Sequence, residues 1–426
     1  MQQKRNRAAD ACILCLAPIT SVALLIASTS AAAAVGSPLT PVIEISPDPT
    51  SPPSSPENWI ARDVLGNFAV AWSVGRTVAD TTGYIRWFAT DGTPLTAAVP
   101  LPNLPLGLGM DDAGDAVVVY NCGSSPRIFC AQTYNSSGIP ISAEIQYAFG
   151  APPSASVQIN LQGTSVGMSG SGDFTVAWAE SDYYQYYAYY ARQIAFTRTY
   201  HLDGTAVSPA NTTVFNGVTY GIYNGYGHAV MGGLAVARDG AYALVASVLG
   251  YGRNNQAKFY SKSGAPTSLT ITIPGGPNSS SSPLLGVSEA IAPNGDVLLA
   301  FRSYTFPESI SVYRYSKYGV RKGQPLTAIQ GPELAMGPEA LSTTSDNGFM
   351  LTYGLVASPN QTGSPFDVSI ATQVYNAENE LQTTFNVATY TEPGNNGIAP
   401  INTVTDANNN LTVVWGTVKA RVFQGP

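Results

Sequence analysis

The sequence has 426 residues and a formal net charge of −7, and only 11% of its residues are Asp, Glu, Lys or Arg. No Lys/Arg cluster is available to neutralise phosphates, which argues against a nucleic-acid or anionic-membrane partner. Gly (41), Pro (31) and Tyr (24) are abundant, the composition of a turn-rich, all-β protein.

In chain order, residues 1–34 read as a secretory signal peptide. Lys4, Arg5 and Arg7 form a basic start, residues 11–26 are apolar, and the segment ends in a run of alanines. No other run reaches the ~18 apolar residues that span a bilayer. The expected product is therefore exported (secreted, periplasmic or at the cell surface), with no membrane span. Residues 35–58 hold a strand-like segment, Pro38 to Ile45, and then a Pro/Ser-rich lead.

From residue 59 to 426 one cassette recurs seven times. An apolar run meets a Gly/Asp/Asn turn, an alternating run closes on an aromatic, and a second alternating strand follows a variable loop. The first copy reads 59–63, 68–72, 84–90 and 95–99. Such a period predicts an all-β, seven-bladed β-propeller with four-stranded blades, whose strands we call a to d. Trp72, Tyr120, Trp178, Phe301, Tyr353 and Trp415 close strand b, with Ser247 in the fourth slot. The c–d turns contain Asp91-Gly92, Ser137-Gly138, Asp203-Gly204, Ser263-Gly264, a longer 318–323 and Glu378-Asn379. The seventh copy supplies strands a, b and c only. Pro38-Leu39-Thr40 matches Pro94-Leu95-Thr96 and Pro325-Leu326-Thr327, so the N-terminal strand is expected to close the last blade, which leaves no open edge.

Gly66-Asn67-Phe68-Ala69-Val70-Ala71-Trp72 and Gly172-Asp173-Phe174-Thr175-Val176-Ala177-Trp178 resemble the repeats of exported bacterial β-propeller proteins of the G-[ND]-F-x-V-A-W type. That resemblance implies architecture and no active-site residue. Cys122 and Cys130 flank a seven-residue loop, and in an exported protein the pair reads as a disulfide and not as metal ligands.

Strand order places the a–b and c–d turns on one face of the disc, and the b–c loops and d-to-a connections on the other. Variable loops on a uniform scaffold are where binding usually resides, which directs attention to the b–c face. There the third copy reads Asp182, Tyr183, Tyr184, Tyr186, Tyr187, Tyr189, Tyr190 and Arg192, and the connection to the fourth carries Tyr220, Tyr223, Asn224, Tyr226 and His228. Tyr-rich, Gly/Asn-rich loops suit stacking on sugar rings or protein recognition. The same tyrosines could instead prolong strands b and c into a tall hairpin with cross-strand packing, or support self-association.

Catalytic signals are sparse. His201 is placed on a c strand, and His228 has no metal-ligating neighbour. Asp63, Asp111, Glu180, Asp182, Glu289, Glu308, Glu339 and Asp367 are the acids outside the repetitive turns that could reach a channel or the b–c face, with Glu289 and Glu339 on innermost strands that could line the channel. The sequence therefore reads as a non-catalytic propeller that needs no cofactor or metal and binds a glycan or an extracellular protein. The alternatives are a polysaccharide hydrolase or lyase using channel carboxylates, and a structural cell-surface module.

Overall fold

The computed structural model describes residues 33–46, 58–74, 82–122, 128–148, 157–184, 189–207, 212–217, 229–248, 254–273, 287–303, 309–330, 339–356, 366–392, 400–416 and 418–426. Seven four-stranded antiparallel sheets account for the unit Ala34–Pro426. Blade one is Asn58–Arg62, Phe68–Val74, Thr82–Phe88 and Val99–Leu101; blade two is Pro105–Met110, Ala116–Asn121, Ile128–Tyr134 and Ile145–Ala148. Blade three is Val157–Met168, Phe174–Tyr184, Tyr189–Tyr200 and Thr212–Gly217; blade four is Ala229–Val236, Tyr242–Val248, Asn254–Tyr260 and Ile271–Ile273. Blade five is Val287–Ile291, Val297–Ser303, Ser309–Tyr315 and Leu326–Gln330; blade six is Ala340–Thr343, Phe349–Val356, Phe366–Tyr375 and Leu381–Glu392. Blade seven takes Asn402–Thr405, Leu411–Trp415 and Lys419–Phe423 from the C-terminal end and Ile43–Glu44 from the N-terminal end. Each a strand contacts the a strands of the blades before and after it, and blade seven contacts blade one, so the ring is closed. Among the described residues no helix is long and apolar enough to cross a membrane.

The turns explain why the cassette repeats. In each a–b turn the first residue's N–H donates to the fifth residue's carbonyl, and the fourth has a positive φ. That fourth residue is Gly66, Gly114, Gly172, Gly240, Gly295, Asn347 or Asn409, with φ from 64 to 96°. Only Gly and, at some cost, Asn adopt this region readily. The sixth-blade residue is Asn347, not its neighbour Gly348. Both asparagines also link blades: Asn347 Oδ1 accepts from Asn294 N at 2.9 Å, and Asn409 Oδ1 from Ser345 N at 2.6 Å. The c–d turns follow the same five-residue rule. The fifth, expected to be longer, is Ser316 to Val320 with Gly319 at φ 82°.

Counting from the positive-φ residue also corrects the aromatic slot. It falls six residues on in the other six copies, so the fourth-blade occupant is the buried Ala246 and not Ser247. Residues two apart on a strand share a face. Phe68, Val70 and Trp72 pack toward blade seven, while Ala69 and Ala71 face blade two and meet Val118 and Tyr120. Large side chains on one face thus meet alanines on the next blade, and the sequence Phe-Ala-Val-Ala-Trp encodes inter-blade packing. Seven such clusters, one between each pair of neighbours, form the core. Full burial of one such large side chain contributes about 1.5–3 kcal/mol.

Strand d begins later than expected. In blade one it is Val99–Leu101, preceded by an isolated bridge between Phe88 and Pro94. Between them Leu95 N donates to Trp87 O at 2.9 Å, and Trp87 N donates to Thr96 Oγ1 at 3.1 Å. A hydroxyl replaces one ladder carbonyl where the strand kinks. Pro140-Ile141-Ser142 and Pro266-Thr267-Ser268 repeat the device through Ser142 Oγ and Ser268 Oγ. The N-terminal segment copies it on blade seven: Pro38 bridges Phe423, Leu39 N donates to Val422 O, and Val422 N donates to Thr40 Oγ1. Closure by the N-terminal strand is thereby established, with Ile43 paired to Ala420 and Glu44 to Lys419. Pro325 is not equivalent to these prolines, because Arg321 makes the fifth-blade bridge and Leu326 already belongs to strand d.

The junction between blades one and seven carries a buried ion pair. Arg62 Nη2 lies 3.0 Å from Asp406 Oδ2, and both side chains are 1% exposed. Arg62 also donates to Gly66 O, Asn410 O and Thr412 Oγ1.

Candidate functional site

Among the described strands b, that of blade three is the longest. It runs 11 residues, against 7 in blade one and 8 in blade six. Four residues beyond the usual 7 extend the ladder by roughly 13 Å. Asp182 pairs with Arg192, Tyr183 with Tyr190 and Tyr184 with Tyr189, with a bulge after Asp182. Strand a follows to the same height, pairing Val157 with Tyr184. The backbone of this tyrosine stretch is therefore a three-stranded extension of the blade, as in the tall-hairpin reading of the sequence. Tyr186 and Tyr187 lie outside the described residues, as do Tyr220, Tyr223, Asn224, Tyr226 and His228. The ends that flank this second group are described: Gly217 pairs with Gln193 and Ala229 with Val248, both at the b–c ends of their blades.

The disulfide Cys122–Cys130 is formed, with its Cα atoms 5.7 Å apart. Glu144 approaches the two sulfurs and accepts a hydrogen bond from Tyr120 Oη at 2.8 Å. Sulfurs bonded to each other leave no thiolate to ligate a metal there.

Most of the acids are occupied structurally. Asp63 Oδ1 accepts from Asn67 N at 2.8 Å, and Asp111 Oδ1 accepts from Ala113 N and Asp115 N at 2.9 Å. Both belong to the first position of an a–b turn, where a carboxylate satisfies turn N–H groups. Glu180 is buried and accepts from Trp178 Nε1 at 3.0 Å. Asp367 Oδ1 accepts from Thr391 Oγ1. Glu308 lies outside the described residues. His201 follows strand c and sits in the c–d turn, where its Nδ1 lies 2.8 Å from Asp173 Oδ1 of the a–b turn. That contact shows the two turn types sharing one face.

Glu289 and Glu339 do not offer open carboxylates to the channel. Glu289 keeps part of its surface exposed, but its carboxylate lies against blade four, where even a Cβ on Gly233 would collide with it. Burial pushes it up to about 8, opposed by a hydrogen bond from the Leu234 backbone. Glu339 is buried and is also pushed up to about 8, chiefly by desolvation and against the pull of Arg302. The physical reason is the packing of the blades. Successive side chains on an innermost strand face the neighbouring blades, so their heads meet protein more than the axis.

The turn face, uniform by sequence, holds a cavity of about 890 Å³. Its wall comes from the a–b and c–d turns of blades four and five and reaches the a–b turns of blades six and seven. The a–b turns of blades two and three, three and four, five and six, and six and seven are tied together, by Asp112 N to Gly170 O, Gly170 N to Arg238 O, Asn294 N to Asn347 Oδ1 and Ser345 N to Asn409 Oδ1. Among the described residues no hydrogen bond joins the a–b turns of blades four and five, and the cavity opens there. A signal for it existed in the sequence. The second position of the c–d turn is lysine in blades four and five, Lys262 and Lys317, where the other blades carry Thr90, Ser136, Leu202 and Ala377.

No family model matches the sequence, and no curated protein matches it. Similar solved structures include a protein of unknown function from Dyadobacter fermentans, 12% identical with a TM-score of 0.46, covering 90% of this chain and 98% of that one. The Dos1 propeller is 9% identical with a TM-score of 0.42, over 91% of this chain and 95% of that one. A Hadza microbial sialidase is 10% identical with a TM-score of 0.43, over 84% and 76%. Nothing about ligand or chemistry is drawn from likenesses this distant. The propeller assignment stands on the strand pairing itself.

Proposed function

We propose that the protein is an exported, non-catalytic propeller that binds an extracellular glycan or protein through the tyrosine-rich end of its third blade. The carrying observation is the ladder that continues to the Tyr184 and Tyr189 pair, well past the height of the other blades. Tyrosines carried on a strand would lose little conformational entropy on binding, which favours recognition. Asp182 and Arg192, paired at the base of the extension, would supply directional polar contacts. The 220–228 stretch, whose flanking strands end on the same face, belongs to the proposed surface on sequence grounds. Export is supported by the character of residues 1–34, with residues 35–58 as closing strand and lead, and by the disulfide. The enclosed carboxylates of Glu289 and Glu339 and the structural engagement of Asp63, Asp111, Glu180 and Asp367 favour binding over hydrolysis.

A glycan array comparing wild type with a Tyr184→Ala/Tyr189→Ala variant tests this. The proposal expects saturable binding by wild type and at least about tenfold weaker binding by the variant. Equal binding by both, at matched melting temperature, would remove the tyrosine extension as the site.

A further inference from the structure

We infer that the turn-face cavity between blades four and five is a second binding site, which takes a short anionic saccharide, carboxylated or sulfated. Its volume of about 890 Å³ falls within the ~300–1,000 Å³ typical of small-ligand sites. It lies on the opposite face of the disc from the blade-three extension and shares no residue with it.

The lining has the two chemistries that such a ligand requires. One is aromatic. Tyr318 lines the cavity and stands 63% exposed, whereas the stacked Tyr242 and Tyr260 of its wall are buried core rings, each 2% exposed. Exposed aromatic rings present flat apolar surface to the C–H face of a sugar. The other is cationic. This acidic chain has six lysines, and four of them, Lys258, Lys262, Lys317 and Lys322, fall in blades four and five. Lys322 is held by Asp296 at 2.7 Å, and Lys258 lies over the Tyr260 ring. Lys262 and Lys317 line the cavity, are exposed, and among the described residues form no ion pair. Lys317 Nζ sits 5.4 Å from the Tyr318 centroid, so a cation and a stacking ring share one corner.

The charges that oppose an anion are limited. Asp406 also lines the cavity, but its charge is met by Arg62. Arg238 is engaged by Asp112 at 3.0 Å. Asp239 remains as the one lining carboxylate without a cationic partner among the described residues, and its Oδ1 accepts from Ala241 N. Two ammonium groups that form no ion pair among the described residues, against one such carboxylate, favour an anion. Ser261, Asn294 and Ser345 supply hydroxyl and amide groups for the ring oxygens.

Calorimetric titration of the protein with trigalacturonate, a chondroitin sulfate disaccharide and maltotriose tests the inference. Saturable binding of either acidic probe, with maltotriose at least about tenfold weaker, is expected. The two acidic probes distinguish a carboxylate from a sulfate source. Lys262→Ala/Lys317→Ala should weaken binding at least about tenfold, and Asp239→Asn, which keeps the Ala241 acceptor, should strengthen it. The Tyr184→Ala/Tyr189→Ala variant should bind these probes as wild type does, which separates this site from the blade-three surface. Absence of saturation with both acidic probes would overturn the inference. So would equal affinity for maltotriose, or unchanged binding by the folded lysine variant.

Discussion

Replacing Arg62 with Met cuts a buried ion pair at the junction between blades one and seven. The guanidinium makes four hydrogen bonds: 2.8 Å to Gly66 O, 3.0 Å to Asn410 O, 2.6 Å to Thr412 Oγ1 and 3.0 Å to Asp406 Oδ2. Its burial pulls the group below the usual arginine range, against the opposing fields of Asp406 and Asp63. Desolvation is thus a real cost that the ion pair offsets. Removing one partner of a buried pair costs about 3–5 kcal/mol, because the other charge stays buried without it. At about 2.1 cal/mol/K per residue over about 390 residues, the unfolding entropy is about 0.8 kcal/mol/K, so the melting temperature should fall by about 4–6 °C. Asp406 would keep its turn partners, Asn408 N and Asn410 N. An Arg62→Met/Asp406→Asn double variant should therefore recover part of the loss, since no unpaired charge remains. Thermal melts followed by circular dichroism read both effects. A single variant within about 1 °C of wild type would refute the reasoning, as would a double variant that melts at the sum of the two single losses.

Three further outcomes are expected. Asn409→Gly should destabilise by about 1 kcal/mol although glycine suits φ 64°, because Ser345 N and Pro426 O lose their partner; chemical denaturation checks this. Glu289 and Glu339 titrate near 8 when folded, far above their unfolded value. The folded state therefore holds extra protons between about pH 4.5 and 8, and stability should fall as pH rises through that window. Melts of Glu289→Gln and Glu339→Gln should show a gain over wild type that is larger at pH 8 than at pH 5. Reduction of Cys122–Cys130, which closes a loop of nine residues, should cost about 2.5 kcal/mol by loop-closure entropy. That corresponds to a fall of about 3 °C in a melt with reductant.

Much of the ring was legible because a few local rules recur. Gly or Asn at a positive-φ position, alternation along Phe68 to Trp72, and Pro-x-Thr before strand d each leave a mark that periodicity exposes. Errors came where a rule needed counting in three dimensions. Ser247 was one residue from the true slot, and Pro325 mimicked Pro94 without its bridge. The acids were harder. Asp63 and Asp111 look like free carboxylates until the turn N–H groups they accept are seen, and Glu289 looks axial until the neighbouring blade covers its head. The turn-face cavity escaped notice because uniform turns suggested a featureless face. It lies where, among the described residues, no hydrogen bond joins two neighbouring a–b turns, a gap that no single segment records.

Hydroxyl-radical footprinting most directly tests recognition by the third blade. Tyrosine oxidation should be compared in free protein and in protein saturated with the glycan that binds most tightly on the array. The account predicts protection of Tyr183, Tyr184, Tyr189 and Tyr190, with Tyr318 on the opposite face unchanged. Protection confined to Tyr318, or no protection of the blade-three tyrosines under saturating glycan, would contradict it.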